Sequence, residues 1–514
     1  MKQLVIMQCY GSQIFTSLNK KVMKKIISII TIAACCYIGC TNKNETKSAN
    51  ESTVSNDSKD SRLGKLALES GYPSKESIEK LYDEMDFQRA CQIHLWAIPM
   101  TGFHALHLAQ RDQLGVKDGD VAMFFDLKDK EGMLTPNITT LYSFSFWNLK
   151  TQGPLVVEVP AGATAGGVLD LWQQPVTDLG QTGPDKGAGG KYLILPPGSK
   201  ATTAPGYSVF VSPTAQVWFA TRGLDADIKV AEATVRKHKL YSWDNRDKNN
   251  VTNYFPVDGK KWTSAQPTDV TYFKMVADAL APEPVQTRDR MMYAMMQSLG
   301  IEPGKPFNPD ARMTKIMNEA AGIGELMARA NAYEKRFKDA TVYTGKHWEY
   351  ANKVELNQED SNYTQLDERA SWFYEAIGNS AGMQGRILGF GQVYLETSKD
   401  KAGNWLVGSK SYKFHVPANA PAKLFWSITL YDNVTRGPVI TDLGSADISS
   451  RKDIEKNADG SVDVYLGPTK PTGSNNNYIK TIPGRGWFPY FRFYSPTEAY
   501  FDKSWQLEDI EEIK

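Results

Sequence analysis

Cysteine is nearly missing from the part of this chain that must fold. Of five cysteines in 514 residues, Cys9, Cys35, Cys36 and Cys40 fall within the first 40 positions, which leaves Cys91 alone. One thiol closes no internal disulfide, so stability has to come from buried area, and Cys91 reads as an inert core residue rather than a nucleophile. Histidine is sparse as well, with six residues, of which His104 and His107 stand three apart and so share one helix face. That spacing suits a metal, but no third ligand accompanies it, and no metal or other cofactor is expected. Neither G-x-S-x-G nor H-E-x-x-H occurs, which removes two common hydrolase designs. An excess of one charge is lacking too. With 59 basic and 58 acidic residues the net charge is +1, which gives no field to attract nucleic acid, and nucleic acid is excluded as a partner.

The apolar run at residues 26–38 is too short to span a bilayer comfortably and follows Lys24 and Lys25, the pattern of a targeting segment. It closes on Tyr37-Ile38-Gly39-Cys40, which resembles the lipobox of bacterial lipoproteins, with Tyr37 where that motif usually has Leu. The resemblance implies acylation of Cys40 and export to the bacterial cell envelope. The expected location is the outer membrane, held by the lipid anchor only. A start at Met23 makes a better signal than one at Met1. Residues 41–62 have the composition of a solvated tether.

The length predicts two or three domains. Helical patterning occupies residues 74–113, with Pro99 and Gly102 expected to break it near Ile98. Residues 133–223 alternate short strands with Gly and Pro punctuation, as in a β-sandwich or barrel. In the strand around residues 166–175, Leu169 and Leu171 are predicted to face the core, with Asp170 and Trp172 turned away. A 3.6-residue period returns at residues 225–350, with Leu326, Met327, Ala330 and Tyr333 on one helical side.

The last stretch is densest in aromatics and turn signals. Val462, Val464 and Leu466 alternate with polar neighbours. Leu424, Trp426, Ile428 and Leu430 alternate with Phe425, Ser427, Thr429 and Tyr431. Tyr490, Arg492 and Tyr494 share one strand face, and Phe491 and Phe493 the other. Ser495-Pro496-Thr497-Glu498 has capping-box spacing and predicts a short helix.

Both β-rich blocks resemble a known pair, the domains of unknown function 1254 (N-terminal) and 1214 (C-terminal). For the first the matching residues are Pro136-Asn137-Ile138-Thr139, Gly153-Pro154, Asp170 to Trp172, and Gly183-Pro184-Asp185 running on to Pro196-Pro197-Gly198. The second carries Phe425-Trp426-Ser427, Tyr431-Asp432, Thr435-Arg436, Ser449-Ser450-Arg451, Gly484-Arg485-Gly486-Trp487 and Phe501-Asp502-Lys503-Ser504-Trp505. The resemblance implies an α+β, mainly β fold: two β-sandwich modules, the C-terminal one jelly-roll-like, with a helical layer between them. The expected division is a signal segment at 1–40, a tether at 41–62, an N-terminal module at 63–224, a helical region at 225–372 and a C-terminal module at 373–514. It implies no established reaction.

Chemistry must therefore be read from individual residues. The glycine-rich run at residues 179–191 enters a strand rather than a helix and has Tyr192 where a phosphate loop needs Ser or Thr, so it reads as a ligand-covering loop. Trp172, Trp218 with Arg222, Arg436, and Arg492 with Tyr494 suit a site for small organic or glycan ligands, because flat rings stack on apolar faces and Arg supplies planar donors. The expected function is binding of such a ligand in a cleft between the two modules, lined by Trp172, Arg222, Arg436, Arg492 and Tyr494. Arg492 is expected to touch the ligand rather than hold the modules together. The alternative is a hydrolase or lyase acting on a carbohydrate or small organic acid through carboxylates in that cleft, such as Asp432 or Asp463 with Glu498. Oligomeric state is not legible.

Overall fold

A computed structural model describes residues 58–514 apart from residue 475, so Cys40 and the signal segment lie outside the described residues. The chain divides into two compact units, residues 1–78 and 79–514. In the first, β1 (Ser58–Ser61), β2 (Gly64–Glu69) and β3 (Tyr72–Pro73) pair antiparallel. The expected tether thus ends earlier than residue 62, because Ser58–Ser61 finds a partner in the following strand.

Helix α1 (Lys75–Leu108) runs unbroken through Pro99 and ends in a π-helical turn at Ala109–Gln113. Proline removes one N–H from the ladder, and donors from elsewhere bond the carbonyls around it. Arg369 donates to Trp96 O at 2.6 Å, Gln266 to Ile98 O at 3.1 Å and Gln173 to Pro99 O at 2.6 Å. The expected break at Ile98 does not occur because the helix is buried among partners that bond its carbonyls.

The strands of the first module are β4 (Val121–Phe124), β5 (Leu141–Asn148), β6 (Leu155–Val159), β7 (Thr164–Asp170), β8 (Pro175–Gly180), β9 (Gly190–Leu195), β10 (Ser208–Val211) and β11 (Gln216–Gly223). After α2 (Ile228–Val235) come β12 (Lys239–Ser242) and β13 (Tyr254–Pro256). They form a six-stranded sheet, β13-β4-β5-β11-β7-β8, and a four-stranded sheet, β10-β9-β6-β12. Val157, Tyr192, Ile194, Val168, Val217 and Phe219 fill the space between them. The module therefore extends to Pro256 rather than stopping at residue 224, since β12 and β13 pair with its own strands.

Helices α3 (Val270–Leu280), α4 (Arg290–Ser298), α5 (Ala311–Tyr333) and α6 (Leu366–Glu375) follow, with β14 (Glu349–Tyr350) between the last two. The side chains of Asp269 and Asp310 accept backbone N–H groups at the starts of α3 and α5, the favoured cap chemistry. On α5 the buried positions include Met313, Met317, Ala320, Gly324 and Ala328, whereas Leu326 and Met327 are exposed. The predicted apolar side is thus turned outward at Leu326, Met327 and Ala330, while Tyr333 packs on Tyr374 and Phe488, because small residues on the opposite side let α5 approach α1. A Cβ added to Gly324 would lie 2.5 Å from His94 Cγ.

The second module comprises β15 (Gln392–Glu396), β16 (Ser411–Val416), β17 (Ala422–Asp432), β18 (Asp447–Ser449), β19 (Val462–Gly467), β20 (Tyr478–Lys480), β21 (Trp487–Pro496), α7 (Glu498–Phe501) and β22 (Glu511–Ile513). Its sheets are β14-β15-β21-β17-β18 and β20-β19-β16-β22. Trp426, Ile428, Leu430, Phe491 and Phe493 meet Phe414, Val462, Val464 and Leu466 between them, as strand alternation predicts. Leu424 escapes that pattern and is exposed, because the register shifts between Ala422 and Phe425. β21 runs through Pro496, so α7 takes Thr497 as its N-cap residue rather than Ser495, which adopts a left-handed φ of 57°.

The helical layer contacts both large sheets. Trp96, Met100 and Phe103 of α1 cluster with Phe144, Phe146, Leu169 and Trp218 of the first module. Leu95 and Ile98 of the same helix, with Ala328 and Trp372, cluster with Tyr394, Tyr431 and Tyr490 of the second. Each fully buried side chain of this size is worth about 1.5–3 kcal/mol. Leu169 thus faces the helices, and Val168 fills the sandwich. Among the described residues no helix is long and apolar enough to cross a membrane.

Candidate functional site

The two large sheets present the faces turned away from their sandwich cores to a common cavity. On the first, Arg222 of β11 is paired with Tyr142 of β5, its guanidinium 4.8 Å from the ring centre, and Ala220 and Trp218 follow on the same face. On the second, Arg492 of β21 pairs with Tyr394 of β15 and Ser427 of β17, and its guanidinium lies 5.1–5.6 Å from the rings of Tyr490, Tyr394 and Tyr431. Alternation along the strands is what delivers these side chains to one side, since each core-facing Phe forces its neighbours the other way.

An inner cavity of about 80 Å³ is walled by Phe144, Leu169, Trp218, Ala220, Trp372, Ile377, Arg222, Tyr394, Tyr490 and Arg492 among others. It adjoins a wider pocket of about 310 Å³, with Gly166, Arg222, Ser380 and Met383 common to both. Gln181 and Thr182 of the glycine-rich loop, Phe425, Arg451 and Tyr494 line the wider part. The loop itself is held closed by Asp185, whose carboxylate accepts Gly180 N at 2.8 Å, Gly189 N at 3.2 Å and the Tyr192 hydroxyl at 2.5 Å. Small residues, Ala165, Gly166 and Gly167 on β7, leave the room that a longer side chain would fill.

The arginines differ. Arg492 is 1 % exposed and donates to Thr135 O at 3.0 Å and Thr429 Oγ1 at 3.3 Å, while its Nε has no partner. Arg222 is only partly covered and lies over Tyr142 and beside the Tyr394 hydroxyl. Among the described residues neither arginine is paired with a carboxylate. Trp218 Nε1 is also buried without a partner.

Behind Tyr490 lies a buried ionic cluster. Its hydroxyl donates to Glu375 Oε2 at 2.5 Å, and Lys335 Nζ sits 3.7 Å from Glu375 and 3.5 Å from Glu349 and also contacts Glu396. Burial pushes the Glu375 carboxyl up to about 7, with Lys335 and Tyr490 opposing the shift.

Of the predicted lining residues, Arg222, Arg492 and Tyr494 meet at this cavity. Trp172 does not. It sits past the end of β7, buried between Arg288 and Arg369 and 4.8 Å from Trp96, so strand alternation no longer governs where it points. Arg436 is elsewhere too. Its residue has a left-handed φ of 57°, and its guanidinium stacks 4.4 Å over Tyr374. The expected carboxylate pair is not assembled: Asp432 binds Arg485 at 2.7 Å, Asp463 binds Lys413 at 3.0 Å and His415 at 2.7 Å, and Glu498 is exposed at the start of α7. His104 and His107 stack edge to face, His107 bonds Asp118 at 2.6 Å, and no cluster able to hold a metal occurs among the described residues. Tyr142, Tyr394 and Glu375 were not anticipated. The alternation of Gln392, Tyr394 and Glu396 with Val393 and Leu395 carries the signal for Tyr394.

Residues 121–242 match the family described as Protein of unknown function (DUF1254), and residues 391–498 match Protein of unknown function (DUF1214). The two matches lie in that order along the chain. No curated protein matches it. Among solved structures it is similar to the VPA0106 protein from Vibrio parahaemolyticus, at 15% identity and a TM-score of 0.54, over 84% of this chain and 100% of that one. It is also similar to a putative uncharacterized protein from Burkholderia cenocepacia, at 11% identity and a TM-score of 0.38, over 85% and 96%. The first likeness establishes a shared fold. The region matching DUF1254 contributes Arg222, Tyr142 and Trp218 to the cavity, and the region matching DUF1214 contributes Tyr394, Arg492 and Tyr494.

Proposed function

We propose that the cavity between the two β modules binds a small organic or glycan ligand. The observation that carries this reading is the guanidinium of Arg222, partly accessible and without a carboxylate partner, in a walled space where Trp218 Nε1 and Arg492 Nε also lack partners. Buried donors left empty are costly, on the order of 1–3 kcal/mol each, unless something fills them. Apolar walls with a few convergent polar groups between domains are the usual form of a small-molecule site. The N-terminal segment supports a setting for it, an exported protein tethered through a lipid on Cys40, and intact-mass analysis of the mature N-terminus tests that part. The binding reading is tested by a thermal-shift screen of small acids, sugars and neutral organics against the full chain. At least one compound is expected to raise the melting temperature, and Arg222→Gln is expected to abolish that shift.

A second reading rests on Glu375. A buried carboxyl near neutrality, bonded to a tyrosine on the cavity wall, suits a proton donor or acceptor that works through Tyr490. If the ligand is turned over, Glu375→Gln and Tyr490→Phe should each stop product formation while leaving binding in place. Mass spectrometry of a prolonged incubation decides it.

A further inference from the structure

The combined walls of the inner cavity and its wider mouth contain three arginines, Arg222, Arg451 and Arg492, and no aspartate, glutamate or lysine. Arg451 is exposed at the mouth and stacks 4.1 Å over Phe425. Three neutral groups around Arg222 can add donors to this charge. Trp218 Nε1 can only donate and has no partner, and the Tyr394 hydroxyl, beside the Arg222 guanidinium, keeps a proton to give. The Tyr142 hydroxyl accepts Asn137 N at 3.0 Å and so keeps its own proton free to give. Arg492 has two of its nitrogens engaged, by Thr429 and Thr135 O, and a third left over. The acceptors on the walls, such as Gln392 Oε1, are all neutral, so a space with positive charge and no negative charge is complementary to a ligand that brings negative charge.

From this we infer that the ligand is an organic carboxylate with an apolar, flat body, its carboxylate held by Arg222 and its body against Phe144, Trp218 and Leu169. The inference rests on reading the cavity as a binding site, and it deepens that reading. The planar guanidinium fork matches a carboxylate's two oxygens, and Arg222, partly exposed, lines both parts of the cavity. A monoanion fits better than a phosphate, because apolar walls would strip water from two charges instead of one. A neutral glycan fits less well, because it leaves the positive charge of the walls unmatched.

The test uses the full chain and three probes, benzoate, phenylacetate and benzamide, in titration calorimetry at pH 7.5. At least one of the two acids is expected to bind, and benzamide, of the same shape without the charge, to bind at least tenfold more weakly. Arg222→Gln should lower affinity for that acid at least tenfold and leave benzamide unchanged. Equal affinity for acid and amide, lost in both cases with Phe144→Ala, overturns the anion but leaves the cavity as a site. Acid binding that survives Arg222→Gln overturns the assignment of the carboxylate to Arg222. If neither acid binds while a neutral sugar gives a thermal shift that Arg222→Gln removes, the ligand class is wrong and the site is right. If no compound of any class is sensitive to Arg222, both readings fall.

Discussion

Arg222 and Arg492 are the same residue type on facing strands, yet the structure gives them different work. Arg492 spans the modules through Thr135 O, so the expectation that it serves the ligand alone is corrected by its burial. Replacing it by Ala leaves a buried carbonyl without a donor and should cost about 1–3 kcal/mol in the free protein, read as a lower urea midpoint. Arg222→Gln, which breaks no bond to the backbone, should stay within about 0.5 kcal/mol of the parent. Glu375 gives a second prediction. Its carboxyl is raised to about 7, against about 4.3 in an unfolded chain. Between those values the folded state holds a proton that the unfolded chain has released. Its contribution is therefore complete below about pH 4.3 and is lost as pH rises through about 7. Glu375→Gln removes that loss, so the variant should gain stability relative to the parent from pH 5 to pH 8 in thermal melts. An unchanged pH slope would assign the effect to Asp170 and Asp178, which burial also raises to about 7. At this scale strand alternation made Arg222, Arg492 and Tyr494 legible. Trp172 and Arg436 were misread because both lie in turns, where period two has no force.

Among the elements, α1 and α5 show what a propensity reading misses. A proline and a glycine in helix interiors look like breaks, and here each marks a close approach instead. Gly324 lets α5 pack on His94 of α1. Gly324→Ala, which raises intrinsic helix propensity by about 1 kcal/mol, is nevertheless expected to destabilise by about 1–3 kcal/mol through overpacking. Chemical denaturation with an unchanged slope would show it, and a stabilised variant would mean the helices have room to move apart. The Pro136-Asn137 motif has a similar lesson. Tyr431 donates to Pro136 O at 2.6 Å, the Asn137 side chain bonds the Tyr494 hydroxyl, and Thr135 N donates to Arg436 O at 2.8 Å. A stretch that reads as a loop signature is the seam by which the second module grips the first. Nothing in its local sequence announces partners some three hundred positions away.

Across residues 79–514 the sheets were legible one by one, while the face each sheet turns to the other was not, because that depends on long-range packing of the helical layer. The same packing predicts how the molecule unfolds. Leu95 and Ile98 of α1 belong to the cluster under the DUF1214 sheet, and Trp96, Met100 and Phe103 of the same turns belong to the cluster under the DUF1254 sheet. One helix thus supplies side chains to both, and Arg492 and Tyr431 cross from one module to the other. Neither module keeps its outer face dry without the helix and the seam, so the two are expected to unfold in one step despite their separate sandwich cores. Fluorotryptophan signals from Trp218 in the first module and Trp426 in the second report each side directly. In a urea titration they should disappear at the same midpoint, and a ligand bound in the cavity should move both together. Arg492→Ala, by loosening the seam, should be the variant in which the two midpoints first part. Separate midpoints in the parent protein would mean that each sandwich holds itself together and that the cavity lies between two independently stable bodies.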